Sequence, residues 1–294
     1  VSRRPAAILA ALLAIGSWIA GACSVTGTIY SDRDESHTFQ VGLAPTVSVE
    51  TFNGRINVTA AGDGRVEVRV SARGAGTSVE AADRNLANIE VTFEQDDDRI
   101  IITARPQDRS ISSGNSGADV EVGVPEQSSL ELRTSNGRIE SANVTGTILA
   151  HTSNGAITTR GGHDLDLDTS NGPVSINGAS GSIRVRTSNG ALDIVGARRA
   201  EITASTSNAP LTFSGTLLPG EHSFRTSNGD LTLIMPADAA FSVDGETSNG
   251  EVKTDFDRLI ITESTIKAWT GDYITTSITA RTSNGDLSVM ALRP

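Results

Sequence analysis

Aromatic residues are scarce in this chain, 4% of 294 residues, and cysteine occurs once. So few rings leave little for the stacking platforms of a sugar- or single-strand-binding groove, and they point to an aliphatic core. One cysteine excludes an intrachain disulfide framework and any cysteine-based zinc cluster. Basic residues are outnumbered, 24 Lys and Arg against 35 Asp and Glu, and the formal charge of −11 argues against nucleic acid as a general partner. There is no nucleophile elbow, P-loop, dinucleotide fingerprint or calcium-binding Gly-Gly-x-Gly-x-Asp repeat. His37, His151, His163 and His222 fall in no metal-ligand spacing. No cofactor is expected.

The lone cysteine stands at a distinctive place. Arg3 and Arg4 precede an almost wholly apolar run, Ala6 to Ala20, too short for a comfortable membrane span; Ala20, Gly21 and Ala22 then lead to Cys23. The segment resembles a bacterial lipoprotein signal, with Ala20 where Leu is commoner. The resemblance implies cleavage before Cys23 and lipidation of that residue; an ordinary signal peptide cleaved near Ala22 is the alternative. Several acyl chains on one residue give stable anchoring. Loss of residues 1–22 removes two arginines and no acid, which moves the charge from −11 to −13. Residues 23–45, with Asp32, Asp34 and Glu35, read as the lipidated cysteine and a polar tether.

The body of the chain is a repeat. Thr-Ser-Asn-Gly begins at Thr134, Thr152, Thr169, Thr187, Thr226, Thr247 and Thr282, with variants at Thr51 and Thr206. Two residues past the Gly position stand Ile56, Ile139, Ile157, Val174, Leu192, Leu211, Leu231, Val252 and Leu287. Apolar residues also alternate before the Thr, as in Leu130 and Leu132 or Ile183 and Val185. Each alternation marks a strand with one buried face. The two are out of phase, so Ser-Asn-Gly must be a corner that keeps both strands on one core. Asn-Gly hairpins in a meander are the local alternative. A near-constant period, Ala209 in one Gly position, and Pro173 and Pro210 after the motif favour a parallel β-solenoid, with right-handed coiling as the default and only the Asn left-handed. Corner residues Asn136, Asn154, Asn171, Asn189, Asn208, Asn228, Asn249 and Asn284 would then stack into a side-chain ladder. About ten rungs make a rod near ~50 Å long.

Residues 126–294 carry the regular repeats; 46–125 read as irregular first rungs with excursions, or as a separate cap, with a short helix over 81–87. Residues 255–281 read as a degenerate rung, Ser264 in the Thr place and Trp269 in the aliphatic place. Trp269 is either a large residue capping the core or, with Tyr273, a ligand contact.

Thr-Ser-Asn-Gly with alternating aliphatics, in an exported chain, resembles the putative-adhesin β-helix family of unknown function, over about 45–294. That resemblance implies a β-helical fold at the cell envelope and names no activity. The residues therefore suggest a non-enzymatic, lipid-anchored envelope protein whose outer sheets bind a protein or polysaccharide, with self-association open. Two other functions stay open: an envelope-stress sensor or scaffold with membrane partners, and a polysaccharide-active enzyme. The enzyme would need clustered outward acids, and Asp164, Asp166 and Asp168 are the candidates, for an acid pair or for a cation; a solvated acidic face is the plainer reading. Arg184, Arg186, Arg198 and Arg199 form a local basic patch, read as a salt-bridged surface with anion binding as the alternative.

Overall fold

The computed structural model describes residues 27–62, 64–108, 115–256, 259–262, 265–269 and 275–292. Apart from the helix Val79–Ala87, capped by Ser78 Oγ accepting from the Ala81 N–H, its regular structure is β.

The fold is a two-sheet parallel solenoid. One sheet stacks strands that precede each Thr-Ser-Asn-Gly corner, the other strands that follow it. Thus Ile148–Thr152 lies parallel between Ser129–Thr134 and His163–Thr169, while Ile157–Gly161 lies parallel between Ile139–Val144 and Val174–Asn177. The Asn-Gly hairpin is thereby replaced by a corner. Eight of the nine aliphatic residues after the corner are buried; Val252, in the outermost rung, is half-buried against the core. Ten rungs are present among the described residues.

Rung order departs from chain order at both ends. Thr46–Glu50 is sandwiched between Arg99–Pro106 and Ser129–Thr134, so rung 99–124 stacks outside rung 46–60. At the other end Thr276–Arg281 lies between Gly220–Arg225 and Ser242–Glu246. The chain's last rung is therefore inserted, and rung 242–254 is outermost.

Residues 29–45 are not a tether throughout. Ile29–Gln40 is a twelve-residue strand antiparallel to Arg65–Gly76, which is antiparallel to Gly117–Val124. Phe39 is buried in that cap, and the helix packs over both strands. Residues 46–125 thus supply two rungs and a cap together. The degenerate rung at 255–281 is also corrected: Leu259–Thr262 and Thr265–Trp269 form an antiparallel hairpin, and the second strand pairs antiparallel with Ser242–Glu246. Strand Thr265–Trp269 caps the stack and does not enter its parallel register.

Aliphatic layers fill most of the interior, but the C-terminal half also holds rings. Phe213 and Phe224 are fully buried, with centroids 5.2 Å apart, and Phe241 meets Phe256 edge-on at 5.3 Å.

Candidate binding surface

The corners build a rigid ridge along the rod. Asn53, Asn136, Asn154, Asn171, Asn189, Asn208, Asn228, Asn284 and Asn249 stack in that order. Each Nδ2 after the first donates to the preceding Oδ1 at 2.5–2.8 Å. The Asn53 amide closes one end by donating to the Ser116 carbonyl at 2.9 Å. All eight bonds run in one direction, so their amide dipoles polarise one another.

The corner threonines do as much beneath the surface. Thr169 Oγ1 donates to the Gly155 carbonyl of the neighbouring rung at 3.0 Å and accepts the Gly172 N–H of its own corner at 3.3 Å. The same pair of bonds recurs at Thr134, Thr152, Thr187 and Thr247. The sequence pattern placed the threonines but not this bridging role.

The corner Gly and Asn were expected to divide along backbone conformation, with only Asn left-handed. Neither has positive φ; within the regular rungs the left-handed residues, Asn143, Asp164, Arg199 and glycines such as Gly178, lie at the opposite corner. The corner glycine is fixed by close approach instead: a Cβ at Gly172 would lie 1.8 Å from the Gly155 carbonyl oxygen.

The acid run does not act as a unit. Asp164 Oδ1 accepts the Ser182 N–H at 2.7 Å. Asp166 faces outward, and Asp168 lies 3.5 Å from His151 Nδ1. No group of three His, Cys, Asp or Glu suited to a metal occurs among the described residues. Trp269 is register partner to Ser242; its side chain, Tyr273 and Cys23 lie outside what is described.

His222 is the polar residue that sequence reading passed over. It occupies an inward position, in register with Ile202 and Ile278, and is 2% exposed. Its Nδ1 accepts the Ile202 N–H at 3.1 Å, leaving Nε2 to donate to the Leu218 carbonyl at 2.9 Å. The ring replaces a missing ladder partner, since pairing here starts only at Thr203 and Ser223. Burial holds the imidazole below its ordinary range, and both nitrogens serve the neutral form. A histidine in the place of an aliphatic residue was the available signal.

A polar groove of about 450 Å³ runs under the N-terminal cap, lined by Ser36, Thr38, Asn57, Glu67, Arg69 and Glu121. Another of about 280 Å³ opens beside Leu217, Met235 and Phe241.

The Toastrack DUF4097 family matches residues 43–290, and the chain belongs to it. No curated protein matches. Solved structures that align with the chain include a putative cell adhesion protein of Clostridium sporogenes, 9% identical, TM-score 0.28, over 89% of this chain and 100% of that one. A putative adhesin of Bacteroides fragilis is 13% identical, TM-score 0.34, over 87% and 97%. A putative lipid binding protein of Parabacteroides distasonis is 11% identical, TM-score 0.35, over 88% and 97%. None is close enough to speak of what this chain binds.

Proposed function

We propose that the chain is a non-enzymatic, exported binding rod of the bacterial cell envelope, held to a membrane by lipid on Cys23, whose outer sheets engage a protein or polysaccharide. The observation that carries this reading is the unbroken nine-asparagine ladder. It places one asparagine on each of nine rungs, where it serves stiffness and register, and so holds the outward side chains of both sheets at fixed spacing along those rungs. The acid run supports an enzyme poorly, because Asp164 is spent on the Ser182 backbone.

The test is fractionation of cells expressing wild type and Cys23→Ser, with a labelled fatty acid. Label and membrane association in the wild type, and loss of both in the variant, are expected. Wild type that takes up no label, together with a variant that stays membrane-bound, overturns the anchor. Failure of the wild-type rod to retain any protein or glycan from an envelope extract overturns the binding reading.

A further inference from the structure

Ion pairs gather toward the two ends of the rod, as in Arg55–Asp119 at 2.8 Å and Lys253–Asp286 at 2.7 Å. The middle differs. On the outer face of the sheet that precedes the corners, three neighbouring strands carry Arg184 and Arg186, then Thr203 and Ser205, then Ser223 and Arg225. Register sets Arg186, Ser205 and Arg225 in one column and Arg184, Thr203 and Ser223 in the next. All three arginines are exposed, and none forms an ion pair with a described residue. Two of the three were read from sequence as salt-bridged. Their register partners Asp166 and Asp168 are adjacent, yet the guanidinium groups stand clear of both carboxylates. Arg198 and Arg199 lie apart, where the chain turns between the sheets.

The result is a floor of three hydroxyls flanked by three guanidinium groups without ion-pair partners, bordered on the same outward face by the carboxylates of Glu201 and Glu221. Hydroxyls accept or donate, and guanidinium groups bind carboxylate in a two-pronged fork. Arg186 and Arg225 are two strands apart, ~10 Å at ~4.8 Å per strand, about the length of a disaccharide. The stiff corner ridge beside them holds that spacing.

We propose that this patch binds a linear acidic polysaccharide, laid along the rod with carboxylates of alternate sugars on Arg186 and Arg225, Arg184 beside them, and sugar hydroxyls on Thr203, Ser205 and Ser223. This deepens the binding-rod reading and rests on it. Charge complementarity selects the occupant: a neutral glycan would leave three guanidinium groups unmatched.

The experiment measures retention of polygalacturonate and of dextran by the immobilised rod at low salt. It compares wild type, Arg184→Gln/Arg186→Gln/Arg225→Gln, and a control triple in ion-paired arginines, Arg65→Gln/Arg105→Gln/Arg138→Gln. Melting temperature checks that each variant folds. Binding of polygalacturonate and not dextran, weakened as salt approaches 0.15 M, is expected. The patch triple should lose about tenfold or more in affinity, and the control triple much less. Equal loss in both triples, or none in the patch triple, overturns the patch while leaving a rod that binds elsewhere. A wild type that retains neither these glycans nor any envelope component overturns the reading beneath it.

Discussion

Replacing Thr169 by Val keeps the side chain's size and removes its oxygen. Thr169 is 2% exposed and sits in the middle of the stack. Its hydroxyl is the hydrogen-bond partner of two backbone groups, the Gly155 carbonyl at 3.0 Å and the Gly172 N–H at 3.3 Å. A buried group stripped of its partner costs about 1–3 kcal/mol. The longer of the two bonds belongs at the weak end of that range, so the valine variant should lose about 2–4 kcal/mol. Thr169→Ser keeps both bonds and loses one methyl, about 1 kcal/mol. The order of the two variants is the test: hydrogen bonding makes Val the worse substitution, simple packing makes Ser worse. Urea unfolding followed by far-UV circular dichroism gives both differences, and the slopes report whether the rungs still unfold together. A valine variant as stable as the serine variant would refute the bridging role.

Two further substitutions probe the close approach and the buried ring. Gly172→Ala drives a methyl against the Gly155 carbonyl and should cost about 1–3 kcal/mol, read as a fall in melting temperature. Ala209→Gly, at the one corner that already accommodates a methyl, should change it far less. His222 is held neutral by burial, its folded value lying below that of the unfolded chain, so the unfolded chain binds the extra proton. The stability contributed by the neutral ring is complete above about pH 6.5 and lost as pH falls through that value toward the folded one, at no more than about 1.4 kcal/mol per pH unit. Wild type minus His222→Gln should therefore shrink between pH 7 and pH 5; a constant difference would remove the histidine from the account.

Much of this structure was legible because its signals are local. Alternation around Thr-Ser-Asn-Gly identifies inward residues such as Leu132 and Ile157, since strand period alone decides which side chains face the core. The stacked asparagines follow from period and corner. Stacking order does not: equivalent rungs offer equivalent neighbours, so nothing local says that Leu287–Leu292 pairs with Leu231–Pro236 on one side and Val252–Thr254 on the other. Ile29–Gln40 escaped notice because its alternating charges, Asp32, Arg33, Asp34 and Glu35, look like a solvated tether; what orders them is pairing with a strand more than thirty residues on. Arg184 and Arg186 were visible as a pair, but Arg225 joins them only across strands.

The displaced rungs solve a problem that a repeat creates for itself. A stack of equivalent parallel rungs ends in two faces ready to accept another copy. Sequential stacking would also make rung 46–60 and rung 276–292 the exposed ends, where fraying begins. Here each has a parallel partner on both sides. The outermost rungs, 99–124 and 242–254, are continued by antiparallel strands instead, Ile89–Asp96 and Arg65–Gly76 at one end and Thr265–Trp269 at the other. An antiparallel strand breaks the parallel register, so a further rung has no template on which to continue. Charge reinforces the stop: Asp32, Asp34 and Glu35 lie on the last strand of the N-terminal cap, and Glu251 and Lys253 on the outermost rung at the other end, where Asp286 and Glu251 hold the Lys253 ammonium charged. These antiparallel strands cover the two end faces of the parallel stack and leave its long faces, with Arg184, Arg186 and Arg225 on one of them, exposed.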